Sequence, residues 1–116
     1  MHYQGMPYEE VKLVRCTKGK TFDVIIDLRQ KSTTFKEWFG LELSEENHKM
    51  LYVPKGFAHG FQTLTDDTEV FYQISEFYVP DHAKGVRWND PAFNIQWVLT
   101  PTVISKKDQS YPDFVR

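Results

Sequence analysis

Histidines and their possible partners are the residues of this chain with the clearest chemical potential. A histidine titrates near neutral pH, so it can accept and donate protons under physiological conditions. His59 follows the turn sequence Pro54-Lys55-Gly56, and the pattern predicts that it lies on an inward-facing strand. His2 stands at the start of the chain, and the candidates to join the two imidazoles are Lys12, Tyr72 and Asp108. These residue types predict acid–base chemistry.

Three of these residues also have simple structural interpretations. His2 belongs to the first residues of the chain, which in most domains are poorly ordered. His59 could be a hydrogen-bonded core histidine without a chemical role. Lys12 lies close to Glu9 and Glu10 and could form a surface ion pair of little energetic value. The apolar strand neighbours of Lys12 favour a position in a pocket instead, and at this level both interpretations stay open.

Tyr72 and Asp108 likewise allow two interpretations. Tyr72 lies between Phe71 and Gln73 on a predicted strand, so it could be a packed tyrosine whose hydroxyl reaches the rim of the core. The segment Ser105-Lys106-Lys107-Asp108 has the pattern of a helix capping box. Asp108 could therefore cap a short helix, act on a histidine, or do both.

The composition predicts a folded protein without a nucleic-acid or membrane partner. With 116 residues the chain is long enough for one core, and we predict a single domain over residues 1–116. The net charge is −2 and no basic stripe is present, which argues against nucleic acid as a partner. No apolar run approaches the ~20 residues of a membrane span, and no signal-peptide pattern is present. Because Cys16 is the only cysteine, the sequence favours a reducing, cytoplasmic location.

Alternation of apolar and polar residues predicts an all-β fold. In residues 22–29 an apolar face alternates with a more polar one, and the polar face is formed by Asp23, Ile25, Asp27 and Arg29. Because Ile25 is apolar, we expect a neighbouring sheet to cover that face in part. Further strands are predicted over residues 11–16, 37–43, 49–53, 58–64 and 68–77. Many short strands separated by turns are typical of a β-sandwich or barrel, whose closed end makes a natural pocket.

Helical structure is predicted to be limited to short turns. Ser44-Glu45-Glu46-Asn47 could form one capped helical turn. The capping box at residues 105–108 predicts another near the C-terminus. The predicted class is therefore an all-β jelly-roll barrel or sandwich with short C-terminal helical turns.

The motif Pro54-x-Gly56-x-x-His59 resembles the second motif of the cupin superfamily. Cupins are double-stranded β-helix barrels, and many of them use this histidine as a metal ligand. The first cupin motif would supply His-x-His, whereas His2-Tyr3-Gln4 has no second histidine at that spacing, and Lys12 would add a cation to the site. We therefore expect no metal and no other cofactor, and we keep a metal-dependent cupin as an alternative.

A longer set of motifs resembles the dTDP-4-dehydrorhamnose 3,5-epimerase family over nearly the whole chain. The N-terminal half contributes His2-Tyr3-Gln4, Lys12-Leu13-Val14-Arg15-Cys16, Gly19-Lys20-Thr21-Phe22-Asp23-Val24, Asp27-Leu28-Arg29 and Ser32-Thr33-Thr34-Phe35. The rest of the chain contributes Leu43-Ser44-Glu45-Glu46-Asn47, Val53-Pro54-Lys55-Gly56-Phe57-Ala58-His59-Gly60-Phe61, Trp88-Asn89-Asp90-Pro91 and Ile104-Ser105-Lys106-Lys107-Asp108. The motifs follow the family's order and lie near the family's spacing, so together they are far more specific than the cupin motif.

The resemblance implies a metal-independent isomerase that inverts C3, C5 or both in a dTDP-linked 4-keto-6-deoxy sugar, in dTDP-rhamnose and polysaccharide biosynthesis. As the family's pattern implies, His2 would be the base, held in its tautomer by Asp108, and Lys12 would offset the enolate charge at the C4 oxygen. Tyr72 would be the acid on the opposite face of the sugar. Substrate contacts are implied for His59, Gln4 and Lys107.

The chain departs from the family's pattern in ways that concern the nucleotide. Family members carry a segment with an arginine before the His-Tyr-Gln motif, whereas Met1 directly precedes His2 here. We therefore expect a homologue that lacks this N-terminal segment and binds dTDP weakly, because arginines recognise phosphates. Phe77 replaces one residue of a Tyr-Tyr pair, and Ala83 replaces a glutamate. The alternative is a non-catalytic or degenerate sugar-binding homologue, and in either case the family implies a homodimer.

Overall fold

The computed structural model describes residues 1–115, which fold almost entirely into β-strands and turns. The described strands are β1 (His2–Gln4), β2 (Lys12–Lys18), β3 (Lys20–Asp27), β4 (Trp38–Ser44), β5 (Met50–Val53), β6 (Phe57–Thr63), β7 (Glu69–Ile74) and β8 (Ala83–Gly85). A 3₁₀ helix covers Pro80–His82, and one short α-helix, α1, covers Lys106–Gln109. The all-β prediction with a short helical turn near the C-terminus is confirmed. Within residues 1–115 no helix is long and apolar enough to cross a bilayer.

The described strands form two antiparallel sheets. One sheet has the order β4-β3-β6-β1-β8, and the other has the order β5-β2-β7. Strands that are neighbours in a sheet are often distant in the chain, since β1 pairs with β6 and β8, and β2 pairs with β5 and β7. Long-range pairing of this kind brings residues from both ends of the chain to one place.

Strand β3 is buried on both faces, which corrects the expected polar face. The side that carries Val24 and Ile26 packs against residues near the C-terminus, among them Phe93. Ile25 packs on the second sheet, as expected, in a cluster with Val14, Cys16, Leu43, Leu51 and Val53. Asp23 and Asp27 share that inner face and are 0% and 1% exposed. They are therefore buried carboxylates, and each needs polar partners to offset desolvation.

Asp27 obtains its partners from the connection that follows β3. Its carboxylate accepts hydrogen bonds from Arg29, Ser32 and Thr34, including two from the Arg29 guanidinium at 2.9 Å. These bonds hold the pKa of Asp27 far below its ordinary value, with the Arg29 bond as the largest cause. The charge of Asp27 thus fixes the turn between β3 and β4.

Two local predictions need correction. The segment that follows β4 at Ser44 is a hydrogen-bonded turn and not a helical turn, because Ser44 and Asn47 each bind the backbone N–H of the other with their side chains. Strands β1 and β8 were not predicted, because three residues are too few for an alternation pattern to be visible. The other strands lie at the predicted places with small differences at their ends.

Candidate active site

A cavity of about 850 Å³ opens between the two sheets and the C-terminal segment. One wall is formed by β1, β6 and β8, and the facing wall by β2 and β7. The structure brings all the sequence-predicted site residues to this cavity, namely His2, Gln4, Lys12, His59, Tyr72, Lys107 and Asp108. The strand order brings together the residues on β1, β2, β6 and β7, and α1 adds Lys107 and Asp108.

The two histidines are held side by side by strand pairing. His2 on β1 lies directly opposite His59 on β6. Side chains at paired positions of neighbouring strands point to the same face of a sheet. Both imidazoles therefore belong to the wall formed by the larger sheet. His2 is half-exposed and His59 is buried, so the site has an outer and an inner imidazole.

Asp108 on α1 contacts the outer imidazole. His2 Nε2 lies 2.6 Å from Asp108 Oδ1, although the two residues are 106 positions apart in the chain. The backbone N–H of Asp108 donates to Ser105 Oγ at 3.1 Å, so the predicted helix cap is also present. Ser105 is thus the N-cap of α1 and binds the backbone N–H of Asp108, while the carboxylate of Asp108 contacts His2. Among the described hydrogen bonds, the carboxylate of Asp108 has the role considered at the histidine, and the helix cap is supplied by Ser105.

The ionisation of this pair favours a neutral base beside a charged carboxylate. Burial lowers the pKa of His2 below its ordinary value of 6.5, and nearby Lys12 acts in the same direction, while the bond to Asp108 opposes them. Burial tends to raise the pKa of Asp108, but its hydrogen bond and attraction to His2 outweigh that effect and lower the pKa overall. At neutral pH His2 is therefore unprotonated and able to accept a proton.

Asp23 is a buried partner of a predicted site residue, and sequence reasoning missed it. His59 Nε2 lies 2.6 Å from Asp23 Oδ1, and both side chains are buried. Ile25 pairs with His59 across β3 and β6, which places Asp23 two residues away on the same inner face. Asp23 Oδ2 has no hydrogen-bond partner among the described residues. The available signal was an acidic residue at an inward position of β3, but that position was assigned to a polar face.

Lys12 and Tyr72 belong to the opposite wall. Lys12 on β2 is 9% exposed, and its Nζ lies 3.5 Å from Glu10 Oε1. The ion pair considered in the sequence is therefore present, but it lies inside the cavity and not on the surface. Tyr72 pairs with Val14, so it shares the inner face of β2 and β7 with Lys12, and it is about half exposed at the cavity.

Gln4 and Lys107 differ in how freely they can reach a ligand. The Gln4 side chain is buried and its amide binds backbone groups on three residues: it donates to Tyr8 and Phe77 carbonyls and accepts from Val79. Gln4 therefore lines the cavity with its hydrogen-bonding groups already engaged in the fold. Lys107 is exposed on α1 and has no such engagement of its side chain in the described contacts.

The donor set of the cavity does not resemble a metal centre. Among residues 1–115, no group of three or more His, Cys, Asp and Glu side chains is arranged to hold a metal ion. Lys12 contributes a cation to the same cavity, which would repel a metal ion. The arrangement instead offers an imidazole base on one wall, and an ammonium and a phenol on the other.

Comparison with known proteins decides the family. The family model for dTDP-4-dehydrorhamnose 3,5-epimerase matches residues 1–116. The chain belongs to this family. A dTDP-4-dehydrorhamnose 3,5-epimerase from Sinorhizobium fredii is 47% identical over 113 residues, which are 97% of this chain and 58% of that protein. The curated 3,5-epimerases from Sinorhizobium fredii and Shigella flexneri are longer proteins, and this chain spans about three fifths of their length.

Solved structures of 3,5-epimerases have the same fold. The enzyme from Bacillus anthracis, with TDP and pyrophosphate bound, matches with a TM-score of 0.94 and 47% identity over 97% of this chain and 65% of that chain. An epimerase from Legionella pneumophila, in complex with dTDP-4-keto-L-rhamnose, matches with a TM-score of 0.87 and 39% identity over 92% of this chain and 57% of that chain. The predicted cupin-type jelly roll is confirmed by these similarities.

Proposed function

We propose that this chain carries the catalytic centre of an epimerase that acts on a dTDP-linked 4-keto-6-deoxy sugar in dTDP-rhamnose biosynthesis. The observation that carries the proposal is the division of the cavity into two chemically different walls. His2, with Asp108 at 2.6 Å, lies on one wall, and Lys12 and Tyr72 lie on the facing wall. Inversion at carbon needs a base and an acid on opposite faces, and this arrangement supplies both.

His2 is the proposed base. Because its Nε2 lies against the Asp108 carboxylate, the neutral ring carries its proton on Nε2 and has Nδ1 free to accept another. A proton on C3 or C5 is acidic because the neighbouring C4 ketone accepts the electron pair as an enolate. As His2 takes the proton it becomes an imidazolium, and the charge of Asp108 stabilises that form.

Lys12 and Tyr72 complete the proposed reaction from the other wall. The ammonium of Lys12 offsets the negative charge that develops on the C4 oxygen, and its low exposure strengthens that effect. Glu10 holds the ammonium in place at 3.5 Å. Tyr72 returns a proton to the opposite face of the carbon, which inverts the configuration. His59 and Lys107 are proposed substrate contacts, and Gln4 is proposed to hold the cavity wall.

Solvent-deuterium exchange tests this function. The protein is incubated in D₂O with dTDP-4-keto-6-deoxyglucose, and NMR follows the C3 and C5 positions separately. Exchange and inversion that disappear in His2→Ala support the proposal, and the carbons that exchange define whether C3, C5 or both are inverted. Exchange at neither carbon by folded wild-type protein contradicts it.

A non-catalytic sugar-nucleotide binder is the second candidate. One observation favours it: Phe77, at the place of a nucleotide-binding tyrosine implied by the family pattern, is 88% exposed. Calorimetric titration with dTDP and with the keto sugar nucleotide distinguishes the two functions. Binding without exchange identifies a binder, and exchange identifies an enzyme.

We also propose a homodimer in the cytoplasm, with residues 1–116 acting as one catalytic domain. The outer face of the β5-β2-β7 sheet exposes a group of large apolar side chains, formed by Met50, Tyr52 and Phe71. Exposed apolar surface of this kind is typical of an interface between proteins. The buried, unpaired Cys16 fits a reducing compartment. Sedimentation at micromolar concentration tests the dimer, and a species with the mass of one chain contradicts it.

A further inference from the structure

The contact between His2 and Asp108 depends on a segment with little packing of its own. Helix α1 has four residues, and none of them is buried. The carboxylate of Asp108 must nevertheless stay at hydrogen-bond distance from His2. Another feature must therefore fix the position of α1 relative to β1, and the chain on the C-terminal side of α1 supplies it.

Tyr111 packs beside both members of the pair. Its ring lies 6.3 Å from the His2 ring, centroid to centroid, at an interplanar angle of 68°. It follows Asp108 by three residues and lines the same cavity. Burial, together with the charge of Asp108, raises the pKa of the Tyr111 phenol, so the side chain stays neutral beside that carboxylate.

Gly85 makes room for the Tyr111 ring. Gly85 on β8 lies directly opposite His2 on β1. A methyl group added at Gly85 would lie 2.3 Å from Tyr111 Cζ and 2.6 Å from its hydroxyl oxygen. No side chain larger than hydrogen fits there while the ring keeps its place. The ring thus occupies the space that a side chain next to His2 would fill.

Arg87 binds the segment that follows α1, at Tyr111 and Asp113. Its guanidinium donates to the Tyr111 carbonyl at 3.0 Å and to Asn89 Oδ1 at 2.6 Å, and it pairs with Asp113. The backbone of Tyr111 is therefore tied to the chain just beyond β8, while its ring is seated on β8 itself. Because β8 pairs with β1, these contacts hold α1 in place relative to His2 independently of the His2–Asp108 hydrogen bond.

We propose that Tyr111, seated over Gly85, is a positioning residue that keeps Asp108 against His2. The expected effect of Tyr111 on catalysis rests on the proposed epimerase function. Its effect on the position of Asp108 relative to His2 does not. The ring is the active part of Tyr111, because its hydroxyl has no hydrogen bond among the described contacts that would fix α1. Tyr111→Phe should therefore behave as wild type, whereas Tyr111→Ala and Gly85→Ala should release Asp108.

NMR titration of the histidine rings tests the structural part without substrate. The signals of His2 are assigned by their loss in His2→Gln. In the wild-type background, Asp108→Asn should lower the pKa of His2, because the carboxylate favours the imidazolium. In Tyr111→Ala and in Gly85→Ala backgrounds the same substitution should have less than about half of that effect, since the contact is already weakened. In each background, the pKa of His2 is compared between the forms with and without Asp108→Asn. A change in burial caused by the background substitution affects both forms and therefore cancels.

Two variants control the interpretation. Gly5→Ala is a matched glycine substitution, since the added methyl would meet only the flexible end of Lys84, at 3.2 Å. It should leave the full effect of Asp108→Asn on His2. In a Tyr111→Ala background, where the ring is gone, Gly85→Ala should not reduce the effect of Asp108→Asn on the His2 pKa any further. If Gly85→Ala does not fold, Tyr111→Ala carries the test, because it introduces no clash.

Activity provides a second, separable readout. If the wild-type chain catalyses exchange, Tyr111→Ala should lower kcat on the order of a hundredfold, as expected for a misplaced catalytic group, and Tyr111→Phe should not. An inactive wild type would overturn the epimerase proposal and leave the NMR comparison intact. The positioning role is overturned if Asp108→Asn lowers the His2 pKa equally in all backgrounds.

Discussion

His59 Nε2 and Asp23 Oδ1 lie 2.6 Å apart in the interior between the sheets, where the two side chains are 7% and 0% exposed. The pair joins β6 to β3, and His59 is also the residue of β6 that lies opposite His2 on β1. A buried imidazole without a partner is costly, so Asp23 stabilises the wall on which the outer histidine lies.

This relationship predicts different effects of two substitutions at Asp23. Asp23→Ala removes the partner of a buried imidazole and should lower the free energy of unfolding by about 1–3 kcal/mol. Asp23→Asn retains an oxygen acceptor and should cost less. Urea unfolding measures both, and Asp66→Ala, at an exposed loop position, should stay within about 0.5 kcal/mol of wild type. Equal stability of Asp23→Ala and wild type would contradict the structural role.

Asp108→Asn should change both the rate and the pH dependence of exchange. His2 acts unprotonated and its pKa lies below 6.5, so kcat/KM should rise with pH along an acid limb whose midpoint lies below 6.5. The Asp108 carboxylate raises the His2 pKa relative to its absence, so Asp108→Asn should shift this acid limb to lower pH. The plateau should fall by about 10²–10⁴-fold, because the imidazolium loses its counter-charge. A limb that moves to higher pH would contradict the assignment of His2 as the base.

Tyr72→Phe should separate proton exchange from inversion. The variant retains His2 and Lys12, so a proton can still leave C3 or C5 and exchange with D₂O. Without the phenol, reprotonation falls to the face on which His2 lies, and the original configuration returns. NMR of the recovered sugar should show deuterium with retention, whereas His2→Ala should show neither exchange nor inversion. Inversion at the wild-type rate in Tyr72→Phe would remove Tyr72 from the reaction.

Lys12→Met should lower kcat by about 10²–10³-fold with a smaller change in KM. Lys12 is proposed to meet a charge that develops only as the enolate forms, so its loss affects the transition state more than binding. Lys31→Met, at an exposed position, is the matched control and should behave as wild type. Circular dichroism checks folding, because Lys12→Met leaves Glu10 without its ion-pair partner. A loss confined to KM would indicate that Lys12 binds the ground state.

Asp27 should make the fold sensitive to acid. Its pKa is lower in the folded chain than the ordinary 3.8, so the unfolded chain binds more protons between those two values. The stability that Asp27 contributes is therefore present above about pH 4 and is lost as the pH falls below 3.8. Asp27→Asn should be less stable than wild type at neutral pH, and the difference should shrink in acid. Urea unfolding at pH 6 and at about pH 3 measures it, and a constant difference would contradict the role of the charge.

Much of the fold could be predicted because it depends on local pattern. Alternation along residues 22–29 indicated a strand, turn sequences separated it from its neighbours, and the S-x-x-D pattern at Ser105 predicted the cap of α1. Strands β1 and β8 could not be predicted in this way, because each has three residues and takes its hydrogen bonds from distant partners.

The features of the site also divide into those that the sequence predicts and those that depend on distant contacts. The identities of His2, Lys12, Tyr72 and Asp108 followed from the sequence and its resemblance to a family, and their roles remain predictions. The burial of Asp23, the enclosure of the Lys12–Glu10 pair and the engagement of Gln4 with the backbone did not follow. Ile25 beside Asp23 and the apolar neighbours of Lys12 are only partial signals, and nothing near Gln4 indicates its engagement, since burial depends on which segment covers the strand.

The sequence by itself determined the period of its strands, the places of its turns and the supply of acid–base side chains. Only the tertiary structure decided that both faces of β3 are buried, and that Asp108 reaches His2 across 106 positions beside a tyrosine seated on a glycine. The physical reason is that strand period and turn chemistry depend on adjacent residues. Burial and charge pairing depend instead on contacts between segments that meet only when the sheets close.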